Sequence, residues 1–171
     1  MRRAPRIVAD QRDTLVSLAA RLETCTLVVD VEPLLAMWGA PIGEVIAGAI
    51  ALAHAMAAEV SSLRCLVFAT NARMSLPKTL ELAHLRITFV SAAGKPWRIG
   101  YLANSPRPIA VIGDQVVTDG LLAFRLGATF LHWQSHDNMP FWPRVQTIIG
   151  SLIMDAFFSL QGIQKTWIND G

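Results

Sequence analysis

The sequence predicts an α/β fold, a parallel sheet of about five strands flanked by helices. Three observations carry this. Short apolar runs of β type alternate with helical stretches along the chain. No repeat, low-complexity run or linker divides the 171 residues, a length that suits a single domain, 1–171, with a sizeable core. Two of the apolar runs also stop on acid: Asp30 and Glu32 follow Leu27-Val28-Val29, and Asp114 and Asp119 follow Ile109-Ala110-Val111-Ile112. Open α/β sheets carry their chemistry beyond the carboxyl ends of the strands, so these acids are expected to share one edge.

Each element has its own signal. Arg2, Arg3 and Arg6 read as a basic, frayed N-terminus. Residues 10–22 place Leu15, Leu18 and Leu22 at helical spacing. A strand over 26–29 leads into a loop through Pro33, Pro41 and Gly43, and an Ala-rich helix over 43–61 precedes a strand over 65–69. Pro77 suits the first turn of a short helix over 77–84. A strand over 87–90 follows, then a helix opened by Lys95-Pro96 and running to 104. A strand over 109–112, a helix over 118–126 stopped by Gly127, and a strand over 129–131 complete a core of about 22–133. An apolar helix over about 145–160 comes last. Right-handed crossovers align the strand ends along one edge.

Composition excludes several classes. The chain is 53% apolar, with a mean hydropathy of +0.40. A net charge of +2 with scattered cations and no aromatic-basic stripe argues against nucleic acid. The apolar stretches 45–58 and 145–160 are too short or too interrupted to span a bilayer, which takes about 20 residues. The 145–160 helix is instead a candidate for peripheral membrane contact or a homodimer surface. No apolar segment of signal-peptide type stands near Arg2–Arg12, so a cytoplasmic protein with Cys25 and Cys65 reduced is expected. Neither a dinucleotide fingerprint nor a P-loop occurs. His132 and His136 are not expected to form a zinc pair, because 133–143 does not read as helix. Trp38, Trp97, Trp133, Trp142 and Trp167 read as packing or interface.

The expected sheet edge collects Asp30 and Glu32, Thr70 and Asn71, Ser91 and Lys95, and Asp114 and Asp119. Clustered acids want a divalent cation or a shared proton. A carboxylate nucleophile, a hydroxyl, an ammonium and metal-binding acids are together the parts of a phosphoryl-transfer site.

In this order the residues resemble the haloacid dehalogenase (HAD) superfamily of phosphohydrolases. Asp30-Val31-Glu32-Pro33-Leu34 is similar to its first motif, D-x-D-x-T, and Thr70 to the hydroxyl residue of the second. Lys95 matches the third-motif lysine, and Gly113-Asp114 through Asp119 the fourth motif, G-D-x-x-x-x-D. Gly94-Lys95-Pro96 and Gly113-Asp114-Gln115-Val116-Val117-Thr118-Asp119 look most like the YqeG-type branch, which is related to phosphatidylglycerophosphate phosphatase.

The resemblance implies a HAD-like, Rossmannoid core without a large cap domain. It also implies Mg²⁺-dependent hydrolysis of a phosphate monoester through an aspartyl-phosphate. Asp30 would be the nucleophile and Glu32 the general acid, with Thr70 and Lys95 completing the catalytic set. Thr70, Asn71 and Lys95 would hold the phosphoryl group. Asp30, Glu32 (through its carbonyl), Asp114 and Asp119 would hold Mg²⁺. The implied partner is a phosphorylated substrate such as a lipid head group.

The first motif departs from the pattern. Glu32 stands for the second Asp, Leu34 for the Thr, and Pro33 has no N–H to offer phosphate. General acid catalysis contributes about 10²–10⁴-fold, so a misplaced Glu32 would slow turnover without abolishing it. A second expectation follows from these departures: a catalytically degenerate HAD-like binding or scaffold protein.

Overall fold

A computed structural model describes residues 3–9, 12–32, 34–37, 39–82, 84–133 and 141–160, and the fold below is that of these residues. In chain order they form strand Ala4–Ala9 (β1), helix Arg12–Arg21 (α1), strand Thr26–Asp30 (β2), helix Ile42–Glu59 (α2) and strand Cys65–Ala69 (β3). Strands Thr79–Leu82 (β4), Leu85–Val90 (β5) and Ile109–Gly113 (β6) follow, then helix Leu121–Leu126 (α3), strand Thr129–Trp133 (β7), helix Phe141–Phe157 (α4) and strand Phe158–Leu160 (β8). A 3-10 turn covers Gly100–Leu102, and a π-helical turn covers Val116–Gly120. Pro33, Trp38, His136 and Trp167 lie outside the described residues.

The strands form one sheet in the order β4-β5-β3-β2-β6-β7-β1-β8. Every neighbouring pair is parallel except β4 with β5. The five strands expected from sequence occupy the middle. Counted among themselves they run 3-2-1-4-5, an order compatible with a doubly wound, Rossmann-like sheet. From β2 the chain crosses to β3 on one side, and later reaches β6 on the other. The carboxyl end of β2, where Asp30 sits opposite Ala69, is therefore the switch point.

Strand alternation builds the two layers. Leu27 and Val29 of β2, with Leu66 and Phe68 of β3, face α1 and α2. Val28, Val67 and Val111 face the opposite side, with α3 and the inner residues of α4. Both strand faces are covered, so these strands read as unbroken apolar runs rather than as alternating ones. Phe68, fully buried, stacks on Phe89 at 5.3 Å; burying one such side chain contributes about 1.5–3 kcal/mol. Gly127, at φ 63°, ends α3 as expected. Cys25 and Cys65 are free thiols.

Four expectations change. Residues 4–9 are not a frayed terminus but an interior strand between β7 and β8, with Ile7 and Ala9 buried. Residues 79–82 form an edge strand instead of a helix. Leu80 and Leu82 are two apart and pack toward the core while Thr79 and Glu81 face solvent, a period of two. Lys95-Pro96 opens a turn instead of a helix: the Pro96 and Trp97 carbonyls accept from Arg125 Nη1 at 2.6 and 2.9 Å, so a tertiary contact takes the place of helical partners. The last helix runs over Phe141–Phe157, and Phe158–Leu160 leaves it as an edge strand on β1.

Helix α2 has the length and apolarity to cross a membrane. The fold gives it a core role as well, with Val45, Ala49, Leu52, Ala53 and Met56 buried.

Candidate functional site

The expected residues converge at the carboxyl ends of β2, β3 and β6. Asp30 ends β2, Thr70 follows β3, and Asp114 follows β6. Lys95 arrives on the loop after β5, and Asp119 on the π-helical turn. Gly113 is required here, because a Cβ at that position would collide with the Asp119 carboxylate, which packs over its Cα. The glycine-acid pairing of this segment thus has a steric cause.

Lys95 is the centre. Its Nζ lies 2.8 Å from Asp30 Oδ1 and 2.6 Å from Asp119 Oδ1, with only 2% of the side chain exposed. Burial pulls the ammonium's pKa down, but Asp119 and Asp30 together outweigh it and hold it above the ordinary lysine range. Asp30 Oδ1 also accepts from the Val31 N–H at 2.9 Å, and Asp119 Oδ2 from the Thr118 hydroxyl at 3.2 Å. Burial, then the Asp119 charge, keep the Asp30 carboxyl well above the usual carboxylate range despite Lys95.

Asp114 is different. It is 3% exposed, and neither carboxylate oxygen finds a hydrogen-bond partner among the described residues. Burial first, and the Asp119 charge second, push its pKa up to about 7. Carboxylate oxygens of Asp30, Asp114 and Asp119 lie within 4.8 Å of one another, a group that could hold a metal ion. The side chain of Glu32 is outside that cluster. Burial raises its carboxyl above the usual range, while the Gly39 backbone and the Thr70 side chain pull it back down.

Asn71 has a bracing role. Its Oδ1 accepts from the Lys95 N–H at 2.8 Å and its Nδ2 donates to the Lys95 carbonyl at 3.2 Å, so both ends of the amide clamp the lysine backbone. Ser91 braces the loop after β3, accepting from the Met74 N–H and donating to the Ala72 carbonyl. Leu34 is buried in the core between the sheet and α1–α2.

A pocket of about 120 Å³ opens on Asp30, Glu32, Thr70, Asn71, Lys95, Gln115, Thr118 and Gln146. Pockets that enclose a whole drug-sized ligand measure about 300–1,000 Å³, so this one admits the charged end of a ligand and leaves the rest outside. Segments 31–41 and 70–78, which flank it, hold no inserted domain.

Sequence reasoning missed four groups around this site. Gln146 reaches the pocket from α4, and its signal was available as the polar break in an apolar helix. Arg6 and His132 meet behind Asp114, and Tyr101 buries an Oη that has no partner among the described residues and whose pKa is pushed up to about 12, chiefly by burial. No local pattern marks these three.

Helix α4 comes close to the site because Gly150 faces the π-helical turn; a Cβ there would stand 2.9 Å from Val116 Cβ. Gly150→Leu is therefore expected to push α4 outward and to cost about 1–3 kcal/mol in a urea melt. Amide exchange should accelerate over 141–157 and stay slow in β2 and β6. Unchanged exchange in α4 would refute the close packing.

No protein-family model, curated protein or solved structure matches this chain.

Proposed function

We propose that this chain is a Mg²⁺-dependent phosphatase of HAD-like fold, which hydrolyses a phosphate monoester through an aspartyl-phosphate on Asp30. The observation that carries the reading is a charge count. Three clustered carboxylates face one ammonium, and that ammonium is shared by Asp30 and Asp119 while the Asp114 carboxylate has no hydrogen-bond partner among the described residues. The ionised cluster is left with a formal charge of −2, which suits one divalent cation. Asp30, Asp114 and Asp119 would hold it, with the Glu32 carbonyl as a further ligand. Bound there, Mg²⁺ supplies charge neutralisation on the oxygens of the transferring phosphoryl group.

The chain's own residues supply the remainder. Lys95 and the Val31 N–H both hold Asp30 Oδ1, which leaves Oδ2 to form the bond to phosphorus. The ester P–O bond breaks as Glu32 gives its proton to the leaving oxygen. Glu32 then takes a proton from the water that attacks phosphorus and frees Asp30. Lys95 and Thr70 hold phosphoryl oxygens, and Asn71 keeps Lys95 in place. The small pocket suits a phosphorylated substrate with a bulky remainder, such as a lipid head group. The proposed setting is the cytoplasm, with no nucleic-acid partner. The exposed Phe141, Trp142, Ile148 and Leu152 of α4 offer a surface for peripheral membrane contact or a second copy.

One observation favours a second reading. The Glu32 side chain stands outside the acid cluster and Leu34 packs in the core, so two first-motif positions depart from the phosphatase pattern. A catalytically degenerate binding or scaffold protein on the same fold accounts for both.

Hydrolysis of an aryl phosphate, wild type beside Asp30→Asn, tests the proposal. Such leaving groups need little protonation and tolerate a poor Glu32 acid. Mg²⁺-dependent turnover is expected, falling to background in Asp30→Asn. Equal traces at background with Mg²⁺ would favour the binding protein.

A further inference from the structure

Strand β1 reaches the acid cluster through two side chains, Arg6 and His132. Arg6 Nη2 and Nε, on β1, lie 2.7 and 3.1 Å from His132 Nδ1 on β7. A guanidinium only donates, so Nδ1 accepts and the ring proton sits on Nε2. Nε2 in turn donates to the Asp114 carbonyl at 3.1 Å. The ring stacks on Phe130 at 5.2 Å and 22°, which sets its plane.

This contact falls at the least restrained of the three acids. Asp30 and Asp119 are each held by Lys95, and further by the Val31 N–H and the Thr118 hydroxyl. The Asp114 carboxylate has no such partner among the described residues. Its direction depends on its backbone, one residue beyond the end of β6, and His132 holds that backbone.

We propose that Arg6 and His132 form a positioning relay that aims the Asp114 carboxylate at a divalent cation. Arg6 selects the Nε2–H tautomer, and that N–H anchors the Asp114 carbonyl. Neither residue touches substrate; both act through Asp114. The relay rests on the reading that Asp30, Asp114 and Asp119 bind such a cation. Hydrogen-bonding partners one step behind a metal ligand are worth about 10–100-fold in metal affinity.

The test is Mn²⁺ affinity of the full chain, read by electron paramagnetic resonance, with melting temperature as the control for folding. His132→Phe keeps a stacking ring and removes the hydrogen bonds to Arg6 and to Asp114; affinity is expected to fall about tenfold or more. His132→Gln restores an N–H donor and is expected to recover most of the loss. Arg6→Met leaves the ring in place but frees Nδ1. It is expected to weaken Mn²⁺ binding and to shift the imidazole ¹⁵N signals away from a single Nε2–H tautomer, a readout that survives if the Phe variant fails to fold. Wild-type affinity unchanged by both His132→Phe and Arg6→Met overturns the relay alone. A wild type that binds no Mn²⁺ overturns the cation reading, and the relay with it.

Discussion

Asp114→Asn is expected to raise the melting temperature of the metal-free protein at pH 8 and to erase its response to Mg²⁺. The Asp114 carboxylate is buried without a hydrogen-bond partner among the described residues, and its pKa is pushed up to about 7, above the value of about 3.9 in an unfolded chain. The folded state therefore binds this proton more tightly than the unfolded state. Below about pH 4 both states are protonated and the associated stability is fully present. It drains away as pH rises toward 7, a loss on the order of 4 kcal/mol from the whole shift.

Asparagine removes the charge but brings an unpaired amide donor, so the net gain at pH 8 is on the order of 2 kcal/mol. At pH 4, where the wild type keeps this proton, only the amide cost remains and the variant should melt below wild type. Mg²⁺ competes with the proton, so it should stabilise the wild type at pH 8, do so weakly at pH 5, and leave Asp114→Asn unmoved. Melts at pH 4, 5 and 8, with and without Mg²⁺, decide this. A metal-free variant that melts at or below wild type at pH 8 would show that the carboxylate is satisfied after all.

Lys95→Met should have the opposite sign. It strips Asp30 and Asp119 of the counter-charge they share, and breaking a buried pair costs about 3–5 kcal/mol. Against a typical total of about 5–15 kcal/mol, that is a large share of the stability of the fold. Asp30, already held above the usual carboxylate range, can recover by taking a proton, so the deficit against wild type should shrink from pH 8 to pH 5. Mg²⁺ should also return part of it, because a cation in the cluster replaces the missing charge. Urea unfolding at both pH values measures the effect. A variant as stable as wild type at pH 8 would mean that the lysine does not hold both acids.

Much of the site is legible in the sequence because strand patterns carry their own register. Leu27-Val28-Val29 and Ile109 to Ile112 are buried on both faces, and their ends must emerge together at the edge of a parallel sheet. That logic brings Asp30, Thr70 and Asp114 together without any knowledge of pairing. Lys95 and Asp119 follow from order along the chain. The same logic is silent about what each polar group bonds. Asn71, expected to hold substrate, also clamps the Lys95 backbone, and the Glu32 side chain, expected among the clustered acids, stands outside them.

By itself the sequence determined the helix-strand alternation, the strand core and the acids at the strand ends, since periodicity reports burial within a single segment. Only the tertiary structure decided that residues 4–9 lie beside β7, that 79–82 pair with β5, that Arg6 meets His132 across 126 positions, and that α4 brings Gln146 to the pocket. Each of these joins a weakly patterned segment to a surface built elsewhere. The free energy that selects it comes from burial and hydrogen bonds that exist only after both parts have folded.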